Sequence, residues 1–192
     1  YIGSIEKVNS NMFIYDETNK SIIEKTICYI PGLYKLFDEG IVNCRDHVIR
    51  MEQLINNYNN NDSNKEILNY PVTNIDICID DSGIITLVND GNGIDITLHP
   101  EYKVWIPELI FGHLRTSTNY DKNEKKIVGG KNGFGFKLVL IWSSWGKIET
   151  VDSKTGQKYV QEFKDNLNII NNPVITKCKN KPYTKVSFKP DF

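Results

Sequence analysis

Glu39, Asn43, Asp46 and Arg50 recur at spacings of four, three and four residues in a segment whose apolar residues keep a similar rhythm. At about 100° per residue the polar set gathers on one face. It lies opposite Leu33, Phe37, Gly40 with Ile41, Cys44, Val48, Met51 and Ile55. A carboxylate and a carboxamide one helical turn apart can both reach a single ligand. Such a face is otherwise simply solvated. Gly40 favours the ligand reading, because a mid-helix glycine costs about 1 kcal/mol against alanine and implies that something packs close to the backbone.

Two glycine-bearing stretches supply what a ligand on that face would need next. Residues 89–94 read Asn-Asp-Gly-Asn-Gly-Ile directly after an apolar run. Glycines there allow close backbone approach to a planar ligand, and a short Asn or Asp side chain can hydrogen-bond its edge. Residues 129–137 read Gly-Gly-Lys-Asn-Gly-Phe-Gly-Phe-Lys and run into an apolar helix. Backbone N–H groups at such a helix start, with Lys131 and Lys137, suit an anion. The pattern is neither a Walker loop nor a Rossmann turn. Between the two stretches, residues 115–120 concentrate hydroxyls and a carboxamide, neutral partners for sugar and phosphate oxygens. Polar loops of this kind also occur with no ligand.

The helix is expected over residues 31–55, with Pro31 in its first turn where a missing N–H is no loss. Residues 1–30 read as strands, with MFIYD and SIIEKTICYI joined through ETNK as a hairpin. The asparagine-rich run over 56–71 reads as a low-complexity, mobile insertion. VTNIDICID and IITLVND form a second hairpin around the turn Asp81-Ser82-Gly83. VWIPELIFGHL is a short helix, and four strands end the chain, the first two joined by a KTGQ turn. This order predicts an α+β fold with a mixed sheet and helices on one face.

Composition narrows the classes. The 192 residues fit one domain, and a net charge of -1 leaves no basic footprint for nucleic acid. No run is long enough to cross a bilayer, and no signal peptide is visible at the start. Cys28, Cys44, Cys78 and Cys178 lack metal spacing and sit in apolar contexts. They read as small hydrophobes in a reducing compartment, with no structural zinc. His47, His99 and His113 are scattered, Trp105, Trp142 and Trp145 read as core or rim packing, and none of the six is expected to be a ligand or catalyst.

Four stretches then carry a family resemblance: YIPGLYKLFDEGIVNCRDH, LVNDGNGI, ELIFGHLRTSTNYDKNEKKIVGGKNGFGFKL and YTKVSFKPD. Together they resemble the ATPase domain of eukaryotic-type DNA topoisomerase II, over residues 1–192. The insertion and the stretch KYVQEFKDNLNIINNPVIT look closer to a large-DNA-virus or protist enzyme than to an animal one. The resemblance implies the GHKL (Bergerat) sandwich, a mixed, mostly antiparallel sheet with helices on one face, and implies ATP and Mg2+ as cofactors.

Matched position by position, the resemblance implies that Glu39 is the general base activating water and that Asn43 is the magnesium ligand. Asp46 would support this face or take a water from the nucleotide. Asn89 would read adenine, Gly93 would let the purine approach, and Thr184 would lie beneath it. Ser117, Thr118 and Asn119 would touch ribose and phosphates. Lys131, Asn132, Gly133, Phe134, Gly135 and Lys137 would wrap the triphosphate as a lid. Phe136, bulky where a small residue is usual, implies altered lid packing, and Gly40 and Arg45 also depart from the pattern.

In the whole enzyme the resemblance implies homodimerisation on ATP binding, DNA capture through other domains, duplex passage through a transient double-strand break, and no membrane. The γ-phosphate lysine and the partner-crossing strap are expected outside these residues, so this piece should bind ATP yet hydrolyse it poorly. A nuclear site would follow, or, for a viral enzyme, a viral replication site or the host cytoplasm. The alternative is a GHKL clamp, chaperone or repair protein using ATP for shape change.

Overall fold

The computed structural model describes residues 2–60, 69–113 and 135–192. Strands β1 (Val8–Asp16) and β2 (Ser21–Tyr29) pair antiparallel as a separate two-stranded sheet, Val8 opposite Tyr29 and Asp16 opposite Ser21. Asp16 closes the turn by accepting from the Thr18 N–H at 3.1 Å. The expected hairpin is therefore present.

Helix α1 (Pro31–Asn60) runs 30 residues, about 45 Å at 1.5 Å per residue. It outlasts the expected end because no Gly or Pro stands between Ile41 and Asn60, and asparagine only weakly opposes helix. The first five residues of the asparagine-rich run are thus helical; residues 61–68 lie outside the described residues.

Strands β3 (Ile75–Ile79), β4 (Ile85–Asp90), β5 (Ser143–Asp152), β6 (Gln157–Lys164), β7 (Ile169–Ile170), β8 (Val174–Lys177) and β9 (Tyr183–Pro190) form the main sheet. Their order is β3-β4-β9-β5-β6-β7, with β8 also on β6. Every ladder among the described residues is antiparallel, so the sheet is not mixed as the element order suggested. β7 was not expected; two isoleucines give too short a run to stand out.

Helices α2 (Ile106–Gly112) and α3 (Gly135–Ile141) pack with α1 on one face of this sheet. Leu36 and Cys44 of α1, Leu87 of β4, Phe188 of β9, Ile148 of β5 and Phe136 of α3 belong to the core between them. A Cβ on Gly40 would overlap Leu87 Cδ1, so the sheet is what packs close to that glycine. Phe136 meets Phe111 and Phe188 edge to face, at centroid separations of 5.2 and 6.2 Å, so the bulky residue fills a core position.

The cysteines correct one expectation. All four are free, but Cys28 and Cys78 are exposed; Cys78 lies on β3, every residue of which is exposed. Cys44 is buried, and burial alone pushes its thiol up to about 11.

Candidate functional site

A cavity of about 380 Å³ lies between α1 and the sheet, bounded by α2 and the start of α3. Its α1 wall includes Gly40, Asn43, Cys44, His47 and Arg50; its floor includes Asn89 and Thr184; Phe111 and Phe136 close one side. Hydrogen-bonded strand pairing brings the floor together. Asn89 of β4 stands opposite Thr184 of β9, which stands opposite Thr150 of β5. Asn89 is buried, and its Nδ2 donates to the Asp90 carbonyl at 2.8 Å. The Thr150 and Thr184 hydroxyls are 3.1 Å apart.

The loop after β4 forms the next wall and is held from the sheet. Thr150 Oγ1 accepts from the Ile94 N–H at 3.0 Å, and Asp152 Oδ2 accepts from the Ile96 N–H at 3.1 Å. Gly93 lines the cavity. A Cβ there would overlap the Val151 carbonyl oxygen and lie 3.0 Å from Thr150 Oγ1. The protein's own backbone demands glycine at this position before any ligand is considered.

Asp90 ties the same loop to residues 73 and 74. Its Oδ1 accepts from the Thr73 and Asn74 N–H groups at 2.7 and 2.9 Å, while the Thr73 hydroxyl donates to Oδ2. Burial alone would raise its pKa, but these donors outweigh that and hold the carboxyl below its ordinary 3.8.

Glu39 and Asn43 occupy successive turns beside the start of α3. A Cβ on Gly135 would overlap Glu39 Oε2 and lie 3.9 Å from Asn43 Nδ2. Glu39 is only 8% exposed, not solvated as a bare surface face would be. Its Oε1 pairs with Lys35 Nζ at 2.9 Å, and Lys35 also reaches Asp38 Oδ2 at 2.8 Å. Hydrogen bonds from that ammonium to Asp38 and then Glu39 push the Lys35 pKa up. Asn43 Nδ2 donates to the Glu39 backbone carbonyl at 2.6 Å.

Of the sites expected from sequence, Glu39, Asp46, Gly135 and Lys137 are not among the cavity's lining residues, and Glu39, Asp46 and Lys137 are buried. Burial pushes the Lys137 ammonium down. Ser117, Thr118, Asn119, Lys131, Asn132, Gly133 and Phe134 lie outside the described residues.

Sequence reading missed Lys35, His47 and Thr150. Lys35 lies one turn before Glu39, a spacing that could have marked it. His47 has no spacing that marks it, and it lines the cavity. Thr150 had no signal, because only strand pairing brings it to Thr184.

A helix-covered antiparallel sheet with a cavity between helix and floor is the layout of the GHKL-type ATPase fold. No family model matches it. The chain is 45% identical over 196 residues to DNA topoisomerase 2 of Acanthamoeba polyphaga mimivirus, covering all of this chain and 14% of that protein. It is 44% identical over 193 residues to DNA topoisomerase 2 of Saccharomyces cerevisiae, covering 12% of it. The crystal structure of the yeast topoisomerase II ATPase region superposes with a TM-score of 0.87 at 43% identity, over 100% of this chain and 46% of that one. The ATPase and transducer domains of Balamuthia mandrillaris topoisomerase II give 0.86 at 36% identity, over 100% of this chain and 46% of that one. Along its whole length the chain is similar to the ATPase region of eukaryotic-type DNA topoisomerase II, and it spans 12–14% of the length of these curated relatives.

Proposed function

We propose that the chain binds ATP in the cavity between α1 and the sheet and serves as the ATP-operated gate of a type II DNA topoisomerase. One observation carries the reading: Asn43 lines a cavity whose floor is the Asn89–Thr184 pair, and Glu39, one turn before it, lies against the start of α3. A base would lie on that floor with its edge toward the Asn89 amide and the Thr184 hydroxyl, groups able to donate or accept. The phosphates would point toward Gly135.

Glu39 is the proposed general base. Its Oε1 is engaged by Lys35 and its Oε2 lies against Gly135; a carboxylate in the base role would orient a water for in-line attack on a γ-phosphate. Asn43 offers a neutral amide oxygen to Mg2+, a hard cation that keeps several waters and takes other ligands from phosphate. Bound magnesium would neutralise phosphate charge, and the lid over 129–137 would add Lys131.

In the whole protein, ATP binding would pair two such domains and trap a DNA duplex, and hydrolysis would reset the gate. In the full-length protein, Glu39→Ala should retain ATP affinity and lose DNA-stimulated turnover by at least about a hundredfold. Unchanged turnover would refute the assignment. The 192-residue chain alone should bind a non-hydrolysable ATP analogue but turn ATP over poorly; robust steady-state hydrolysis would contradict this.

A further inference from the structure

We infer that His47 is a positioning residue for this pocket, holding the Gly91–Gly93 turn against helix α1 so that the cavity wall has one arrangement. The inference rests on the nucleotide reading above for its functional consequence, and on geometry for the contact itself. His47 Nε2 lies 2.9 Å from the Asn92 carbonyl oxygen. A carbonyl only accepts, so Nε2 carries the proton and donates. Burial, followed by the Arg50 charge, lowers the imidazole pKa, which favours a neutral ring with its single N–H committed here.

The site of attachment matters. From the sheet side, Thr150 holds Ile94 and Asp152 holds Ile96. From the helix side, His47 holds Asn92. Gly93 lies between these anchors and lines the cavity. The turn also runs close to the imidazole: Gly91 has φ +92°, and a Cβ there would come within 3.2 Å of His47 Nε2.

Asn92 extends the connection outward. Its Oδ1 accepts from the Tyr70 N–H and its Nδ2 donates to Asn69 Oδ1, both at 2.9 Å. One carboxamide residue therefore joins α1, the pocket wall and the chain entering β3. A wall tethered at one end only would sample several positions, and ordering it would weaken nucleotide binding.

The test compares His47→Ala and His47→Gln in the full-length protein, since a glutamine amide can restore an N–H donor. Amide hydrogen exchange over residues 91–94 is measured without nucleotide, and affinity for a non-hydrolysable ATP analogue with magnesium is measured alongside. His47→Ala should raise exchange in the turn and weaken the analogue roughly fivefold, the scale of one lost hydrogen bond. His47→Gln should recover most of both, and melting temperature should not track the affinity loss. Unchanged exchange or unchanged affinity in His47→Ala overturns the inference. Failure of the unsubstituted protein to bind the analogue instead overturns the nucleotide reading, and with it the consequence assigned to His47.

Discussion

At the residue scale, the site's geometry depends on atoms too close to tolerate substitution. Gly93→Ala would drive a methyl group into a backbone carbonyl on β5, which cannot rotate away as a side chain could. We expect a loss of more than about 2 kcal/mol in urea unfolding, with nucleotide affinity falling further, since such overpacking in a dense interior displaces backbone. Asp90 gives a signature in pH. Its carboxyl is held below 3.8 by the Thr73 and Asn74 donors. Its contribution is therefore complete above that ordinary value and is lost as pH falls through the lower folded value. Asp90→Asn should be less stable at neutral pH, and the gap should narrow below about pH 4 in an acid unfolding series. The pairing of Glu39 with Asn43 was legible from spacing alone. That Glu39 is buried was not, because its cover comes from the start of α3, far away in the chain.

At the element scale, α1 couples to the sheet through a missing side chain. Helix propensity alone predicts that Gly40→Ala stabilises by about 1 kcal/mol. The overlap with Leu87 Cδ1, in a side chain 2% exposed, predicts the reverse. The clash should win, because Leu87 is packed among core neighbours with little room to turn. A double-mutant cycle with Leu87→Ala checks the cause: the Gly40→Ala penalty should shrink or change sign when the leucine is shortened. The sequence showed both helix and glycine; it could not show which strand lies beneath them. α3 tells a similar story. Phe136 looked like a departure at a lid position, yet edge-to-face contacts with Phe111 and Phe188 give it a structural purpose. Truncation to alanine should cost about 3–5 kcal/mol in chemical denaturation.

At the scale of the whole molecule, most elements were readable because alternation and turn residues announce hairpins locally. β1 with β2, and β3 with β4, follow this rule. What alternation cannot announce is the order of strands across a sheet. Nothing in YTKVSFKP reveals that β9 lies between β4 and β5, since that choice is made by distant partners with the same pattern. The separate β1–β2 sheet was equally hidden. Its exposed Phe13, Tyr15 and Ile22 resemble residues of a covered strand until the surrounding layers are known.

The central place of β9 has a temporal consequence. Thr184, part of the pocket floor, lies on the element completed last among those described, and both flanking strands wait for it to join them. On a ribosome, the two halves of the sheet can emerge and pair internally, but they remain unjoined until residue 190 has cleared the exit tunnel. Nascent chains halted before that point should fail to retain an ATP analogue, and those released beyond it should acquire retention in one step.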